Sequence, residues 1–435
     1  MKLAILGGSF DPIHIGHLYL ADEVICTLGY DRVVFVPAFQ SPFKVGAEKA
    51  SSKDRLDMLA AAIVGDPRLT FDTCEIKREG VSYTIDTLKD IISRFSPDGK
   101  PGLIIGSDLV SGFGKWQNPE EIAEMADIIV ANRLLNSSQP ATAVQAEGLQ
   151  TEEAQKTQVS GGEQDNFPYR HKILGNEPLN VSSSIIREKI IQHTAWSYLV
   201  PIGARHIIDE RKLYGSEGRF GSRDSALEGA DYTDGSKSGF SEIIVKIEKD
   251  VCSRLSFERF IHSRNTAILA WDLCRRFGLD SEKGYLAGIA HDMCKSLDKE
   301  ELWRLAHKDG SSISKLEQKK PGLLHGRSAA VLLKKKYGIT DKDILDAIRY
   351  HTTGSWDMNA LAKVVYIADK LEISREGLDP TLRKMSRESD LNSLFQAVLN
   401  STVTYLRSRQ LDISYGTRRL LLAMQKRNGH AKGEN

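Results

Sequence analysis

Gly7-Gly8-Ser9-Phe10-Asp11-Pro12-Ile13-His14-Ile15-Gly16-His17 follows a short apolar run at residues 3–6 and leads into a helical period that starts near Gly16. A strand, a glycine turn and a helix N-terminus in that order form an anion site. Free backbone N–H groups and the positive end of the helix dipole converge there. Gly7 and Gly8 permit close backbone approach. His14 and His17 are three residues apart, so helical geometry extended back to His14 turns both imidazoles to one side. From that side they can donate hydrogen bonds to phosphate oxygens and follow negative charge as it builds in a transition state. The bland alternative is a βα turn with two surface histidines.

Outward from this string, apolar runs at residues 3–6, 33–36, 69–71, 103–105, 128–130 and 173–174 read as short buried strands. Helical stretches at 16–28, 52–63, 83–95 and 119–126 fall between them. Alternating β and α units predict an α/β doubly wound parallel sheet. From Glu242 to about Arg427 the pattern changes: Leu255, Phe260 and Ile261, then Ala267, Ile268, Trp271 and Leu273, recur at helical spacing. That half reads as all-α. Residues 135–166 are rich in Gln, Ser, Ala, Glu and Thr and hold no aromatic residue, which predicts an insertion loop. Residues 215–240 carry six glycines and many Ser and Asp residues, the composition of an interdomain linker. The expected division is a first domain at 1–214, a linker at 215–240, a second domain at 241–428 and a polar tail at 429–435.

The chain has 435 residues, 41% hydrophobic and 27% charged, with a formal net charge of +1. That balance gives no global drive toward nucleic acid or membrane, so any phosphate site is built locally. No apolar run approaches the roughly 20 residues that span a bilayer. The five cysteines are scattered without a CxxC pair, and the opening MKLAILGG lacks the long apolar segment of a signal peptide. Both predict reduced thiols in a cytoplasmic protein.

The His14-Ile15-Gly16-His17 string resembles the HxGH signature of the nucleotidyltransferase superfamily, and the whole GGSFDPIHIGHL segment is similar to bacterial nicotinate-nucleotide adenylyltransferases. The resemblance implies a Rossmann-like sheet with Gly7, Gly8, Ser9 and Phe10 at the nucleotide. Ser41-Pro42-Phe43-Lys44 looks like that family's PFK-type segment and implies Lys44 on the phosphates. The stretch 83–88, with Thr84 and Asp86, is similar to a YTIDTL segment beside nicotinate mononucleotide. Gly106 and Asp108 match a GxDxL segment near the adenosine, and Trp116 stands where the family stacks an aromatic ring on the pyridine. Ser182, Ser183, Ser184 and Arg187 resemble an SSTxIR signature that holds the triphosphate, with VSSS here in place of the commoner ISST. The implied reaction is in-line attack of the mononucleotide phosphate on the α-phosphorus of ATP with loss of pyrophosphate. Mg²⁺ accompanies the leaving group, and His14, His17, Lys44 and Arg187 carry the catalysis. The residues support this physically: serines can cap a helix while offering N–H groups, Arg187 adds a charge-assisted fork, and Trp116 is a flat ring suited to a pyridine face. Singly, each is an ordinary residue. Trp116 could be a core Trp, Lys44 a solvated lysine, and Asp86 a partner for a helix dipole. Arg133, beside the insertion, contacts nucleotide or brackets the loop.

In the second half, His262, His291-Asp292, His325, His351 and Asp369 each lie on an expected helix or helix end. Neutral imidazoles with carboxylates suit transition metals. Their contexts resemble the HD phosphohydrolase superfamily. The strings HTTG at 351–354 and ADKLE at 368–372 are similar to HD-domain hydrolases that cleave diadenosine tetraphosphate symmetrically. The resemblance implies two transition-metal ions, iron favoured with manganese or cobalt as alternatives. His262, His291, Asp292 and Asp369 would hold one; His325 and His351 would complete the second, with Asp292 bridging. It also implies water attack at a central phosphorus with release of two ADP. Lys295 and Arg264 are candidate polyphosphate contacts or surface charges. Trp303 and Trp356 are expected to pack helices, and Lys334-Lys335-Lys336 to form a solvated helix face.

Two alternatives stay open. The acceptor could instead be nicotinamide mononucleotide or a phosphopantetheine, although the 83–88 stretch and Trp116 favour a pyridine. The HD half could hydrolyse another nucleotide or be a regulatory nucleotide-binding module without turnover. ATP, nicotinate mononucleotide and diadenosine tetraphosphate are the expected ligands; neither nucleic acid nor membrane is, and no oligomeric state is implied.

Overall fold

The computed structural model describes residues 1–40, 50–133, 167–217, 242–375 and 377–430, and only the backbone over 423–430. Lys44, the insertion at 135–166, and most of the linker and tail therefore lie outside the described residues. The chain divides into two compact units, Met1–Asp234 and Gly235–Asn435.

In the first unit the apolar runs form six parallel strands: β1 Leu3–Gly8, β2 Arg32–Pro37, β3 Leu69–Phe71, β4 Gly102–Gly106, β5 Asp127–Ala131 and β6 His171–Ile173. Their order is β3-β2-β1-β4-β5-β6. The chain reverses direction of travel across the sheet between β1 and β4. In open parallel sheets, ligands bind outside the carboxyl ends of the strands at such a switch point. Gly7-Gly8 and Gly106 stand at those two strand ends.

The helices of this unit are α1 Ile15–Leu28, α2 Ser52–Ala62, α3 Cys74–Arg78, α4 Thr84–Phe95, α5 Pro119–Met125, α6 Ser183–Ile191 and α7 Ile202–Glu210. Ile85, Leu88 and Ile91 of α4 and Ile122 of α5 bury against Ile5, Val34, Leu103, Ile105 and Ile128 of the sheet, with Phe113 between. Strands covered by helices read as continuous apolar runs, which is why their positions were visible in the sequence. Helix α3, five residues long, was not anticipated.

The second unit is helical: α8 Glu242–Arg254, α9 Phe257–Arg276, α10 Ser281–Ala290, α11 Lys299–Ala306, α12 Lys315–Lys319, α13 His325–Tyr337, α14 Lys342–Tyr350, α15 Ala360–Leu371, α16 Pro380–Glu388, α17 Leu391–Ser408 and α18 Tyr415–His430. Helices α9 and α10 meet through glycine. A Cβ on Gly284 would lie 2.6 Å from Cys274 Sγ, and one on Gly288 2.5 Å from Ala267 Cα. Val364, Val365, Tyr366, Ile367 and Ala368 of α15 are buried through the middle of the unit. Trp356 departs from expectation: it is 55% exposed rather than packed between helices.

Candidate active sites

At the switch point the loop after β1 is held from several directions. Fully buried Arg55 of α2 donates to the Ser9 carbonyl at 2.8 Å and to the Ala38 carbonyl at 2.7 Å. Ser183 Oγ donates to the Pro12 carbonyl (2.9 Å), and Arg187 Nη1 to the Asp11 carbonyl (2.6 Å). Tyr214 Oη donates to Asp11 Oδ1 at 2.6 Å. Phe10 takes a left-handed φ of 47°, and its buried ring packs edge-on against His17 and Phe35. Phe10 thus supports the loop from beneath. A Cβ on Gly7 would meet nothing within 4 Å, so the strand end opens on free space there.

His14 is the residue before α1, in extended conformation, and its backbone N–H donates to His17 Nδ1 at 3.2 Å. The two rings stack at 3.7 Å between centroids. Gly16 leaves room for the segment before α6, because a Cβ would lie 2.8 Å from Val181 Cγ1 and 3.1 Å from His14 Nδ1. Both ring nitrogens of His14 are buried without a hydrogen-bond partner in the structure. Burial, aided by Arg133, pushes its pKa down to about 3, so the ring is neutral at physiological pH. A neutral imidazole with both ring nitrogens buried and unpaired keeps one N–H available for an acceptor that enters the crevice.

Ser182 caps α6, its side chain accepting the Ile185 N–H at 3.2 Å, and Arg187 Nη2 donates to Ser184 Oγ at 3.2 Å. The Ser182–Arg187 helix start and the His14–His17 pair are therefore joined through the carbonyls of Asp11 and Pro12. Arg133 reaches Asp108 at 3.4 Å, and the Arg133 N–H donates to Ser107 Oγ at 3.0 Å. A Cβ on Gly106 would lie 2.2 Å from Asp108 Oδ1 and 2.6 Å from Arg133 Cδ, so both side chains lie close over this strand end. Beside them Asn176, 4% exposed, is locked to Asn132 by reciprocal amide bonds. His14, Gly16, Arg133, Asn176 and Val181 line one crevice. Asp86 sits in the first turn of α4 with Arg78 at 3.7 Å; Thr84 opens that helix. Trp116 packs on Phe113 at 4.9 Å and is half-buried at the edge of the core. Arg55, Asn176 and Tyr214 were missed by sequence reasoning. For Tyr214, a chain position some 200 residues from Asp11 offered no local signal.

In the second unit all six expected ligands converge. Imidazole and carboxylate atoms of His262, His291 and Asp292 lie within 4.8 Å of one another; so do those of His291, His351 and Asp369, and of Asp292, His325 and His351. Asp292 faces both ends: Oδ1 is 2.9 Å from His325 Nε2, and Oδ2 is 3.7 Å from His291 Nε2. His291 and His351 each belong to more than one of these groups, so the cluster is continuous.

The four histidines share one construction. The last carbonyls of a helix lack i+4 N–H partners. His291, at the end of α10, turns Nδ1 to the Gly288 carbonyl (2.6 Å), and His351, at the end of α14, to the Ile348 carbonyl (2.7 Å). His325 uses the Gly322 carbonyl (2.5 Å), and His262 the buried Glu372 carboxylate (3.1 Å). With Nδ1 turned outward, each Nε2 points inward toward the carboxylates of Asp292 and Asp369. His291 and His262 then face each other at 3.3 Å, and His325 and His351 at 3.0 Å. Four imidazole nitrogens and two carboxylates packed this closely form a donor set that a cation can bridge. The N/O donor set and anchored tautomers fit transition metals.

Electrostatics agree. Burial drives the His291 pKa down to about 3 and lowers that of His325. Burial also opposes charge on His262, but Asp369 and Glu372 outweigh it and raise its pKa. Burial opposes ionisation of Asp292 and Asp369, yet the surrounding histidines, and Lys370 for Asp369, hold both well below the usual carboxylate range.

A cationic rim surrounds the cluster. Arg259 reaches Asp292 Oδ2 (3.0 Å), Arg375 reaches Asp369 Oδ1 (2.7 Å), and Lys370 reaches Asp369 Oδ2 (2.7 Å). Lys295 stands 3.3 Å from His325 Nε2, its pKa lowered by burial. Thr352 Oγ1 lies 2.8 Å from His351 Nε2. Arg264 requires a correction: it is 1% exposed and paired with Glu248 at 3.0 Å, where Tyr285 also bonds, so it ties α8, α9 and α10 rather than facing substrate. Arg259, five residues earlier on the same helix, reaches Asp292 of the cluster instead. Glu372 was contained in the ADKLE string but was not singled out as an anchor.

Residues 5–189 match the Cytidylyltransferase-like family and residues 259–374 the HD domain family. The chain is 38% identical over 218 residues to a probable nicotinate-nucleotide adenylyltransferase of Treponema pallidum, covering 50% of this chain and all of that protein. It is 32% identical over 228 residues to one of Geobacillus thermodenitrificans, covering 52% of this chain and 93% of the relative. A crystal structure of a predicted HD superfamily hydrolase involved in NAD metabolism, from Clostridium acetobutylicum, is 31% identical. That alignment covers 42% of this chain and 96% of the other, with a TM-score of 0.40. The chain thus belongs to the nicotinate-nucleotide adenylyltransferase family and carries an HD domain behind that half.

Proposed function

We propose that the first unit transfers the adenylyl group of ATP to nicotinate mononucleotide, releasing pyrophosphate and nicotinate adenine dinucleotide. The observation that carries this is the buried, neutral, unpartnered His14 beside the capped Ser182–Arg187 helix start. Catalysis in this reading is positioning plus charge stabilisation. His14 and His17 donate to α-phosphate oxygens as charge builds. Arg187 and the α6 amides hold the triphosphate, which arrives with its Mg²⁺ as substrate. Gly7 leaves room for the nucleotide, and Gly106, Asp108 and Arg133 border the adenosine. Lys44, outside the described residues, is assigned to the phosphates by resemblance. Thr84, Asp86 and Trp116 are assigned to the nicotinate mononucleotide. Incubating the protein with ATP, Mg²⁺ and nicotinate mononucleotide should yield equal amounts of pyrophosphate and dinucleotide. Absence of pyrophosphate removes the assignment.

We infer that the second unit is a phosphohydrolase that splits diadenosine tetraphosphate into two ADP. His262, His291, Asp292, His325, His351 and Asp369 would hold two transition-metal ions, iron foremost. When bound, these supply Lewis acidity at phosphoryl oxygens and lower the pKa of water. The chain's own groups do the rest. Lys295, Arg259, Lys370 and Arg375 neutralise the polyphosphate, and the Thr352 hydroxyl lies where it can donate beside His351. Protein loaded with iron, manganese or cobalt should convert diadenosine tetraphosphate to ADP alone. Formation of ATP and AMP, or no cleavage, overturns this substrate. Among the described residues no helix is long and apolar enough to cross a membrane.

A further inference from the structure

The loop that carries His351 does not end at the metal cluster. Thr352 touches His351, and the carbonyl of Thr353 accepts from Ser414 Oγ (3.0 Å) and Thr417 Oγ1 (2.6 Å) at the start of α18. Gly354 has φ of 66°, and α18 lies so close that a Cβ on Gly416 would come within 2.5 Å of the Gly354 carbonyl. This contact clamps the first turn of α18 onto the loop. Two residues further on, Trp356 is 55% exposed, and Tyr415 across from it is 71% exposed. The Arg419 guanidinium lies over both rings, 5.4 Å from the Trp356 centroid and 5.8 Å from that of Tyr415.

Tryptophan is on average a deeply buried residue. Here one stands in water on a loop held by α18, beside a second exposed ring and a planar cation. Its five-residue separation from His351 spans at most about 17 Å, and the glycine turn makes the separation shorter. A nucleoside polyphosphate has the same order of parts: phosphates, sugar, then a flat base. Every base has a π-face, and aromatic rings and arginine planes are the surfaces on which bases stack.

We propose that Trp356, with Arg419 and Tyr415, is a nucleobase-stacking subsite of the second unit, taking the purine of a nucleoside polyphosphate whose phosphates lie at the His/Asp cluster. The proposal rests on the phosphohydrolase reading above, and the experiment separates the two. The full-length protein is irradiated with 8-azido-ADP, digested with trypsin and mapped, and KM for diadenosine tetraphosphate is measured on the same preparations. In wild type, label falls on the peptide 350–363 or on the start of α18, as well as within the first unit. Trp356→Ala loses the second-unit label only, raises KM roughly tenfold to a hundredfold at unchanged metal content, and Trp356→Phe restores most of both. No label in that region of wild type, or label and KM unchanged in Trp356→Ala, overturns the subsite. So does loss of self-association in Trp356→Ala without label, which makes the patch a contact between two copies. Label without hydrolysis of the tetraphosphate removes the substrate assignment and leaves the subsite. Hydrolysis without label or KM change removes the subsite alone.

Discussion

Tyr214 donates a 2.6 Å hydrogen bond to the carboxylate of Asp11, 203 residues earlier in the chain. Both groups are buried, and Asp11 also accepts Arg187 through its backbone carbonyl. The phenol thus fixes the loop that presents His14. Burial, reinforced by Asp11, raises the Tyr214 pKa, so the donor persists throughout the working pH range. Tyr214→Phe should cost about 1–3 kcal/mol of stability, because a buried carboxylate oxygen loses its donor. Denaturant unfolding checks the stability, and adenylyl transfer should fall alongside it.

His14→Ala should lower kcat for adenylyl transfer by about 10²–10³, the scale of losing one preorganised donor to a developing oxyanion. Circular dichroism should show an unchanged fold. Steady-state kinetics on the variant provide the check.

The same residue has a pH signature. Its folded pKa is about 3 against 6.5 when unfolded, so between those values the unfolded chain binds the extra proton. Stability then falls as pH drops below 6.5, by at most about 1.4 kcal/mol per pH unit from this group. His14→Asn should flatten that part of the stability profile. Denaturation midpoints measured between pH 7 and pH 5 for both proteins give the comparison.

Chelation should reduce the thermal stability of the second unit and leave the first unit's transition in place. A protein that retains its second-unit midpoint after complete metal removal would contradict the ligand assignment. Elemental analysis of His291→Ala/Asp292→Ala should show metal lost.

Arg264→Ala and Arg375→Ala should separate cleanly. Arg264 is buried against Glu248, so its loss leaves an uncompensated buried charge and costs about 3–5 kcal/mol. Arg375 is 43% exposed; its loss should change stability by less than about 1 kcal/mol yet raise KM for the tetraphosphate severalfold. Thermal melts paired with kinetics on both variants distinguish packing from substrate contact.

The parts of the fold legible in sequence were those with strong periodicity. Strands β1, β2 and β4 are buried on both faces and appear as unbroken apolar runs. Strand β6 was found from a shorter run, and its Ile173 is half exposed. The glycine-histidine string and the six metal-type residues were legible because their chemistry is uncommon at that spacing. What escaped were residues whose role depends on distant partners. Arg55 reads as a surface arginine until a helix carries it beneath the Ser9 carbonyl. Arg264 and Arg259 lie on the same helix, and which of them is buried depends on what packs against each: Glu248 meets Arg264, and Asp292 meets Arg259. Trp356 looked like a packing residue because the composition of a turn does not report what lies opposite it.

Three of the four clustered histidines are aimed by backbone carbonyls, those of Gly288, Gly322 and Ile348, and only His262 is aimed by a side chain, Glu372. A carbonyl is present whatever residue occupies its position. Mutational drift around the cluster can therefore vary most neighbours without turning those three rings. The vulnerability is concentrated at Glu372, where a single base change could release His262 while leaving every ligand in place.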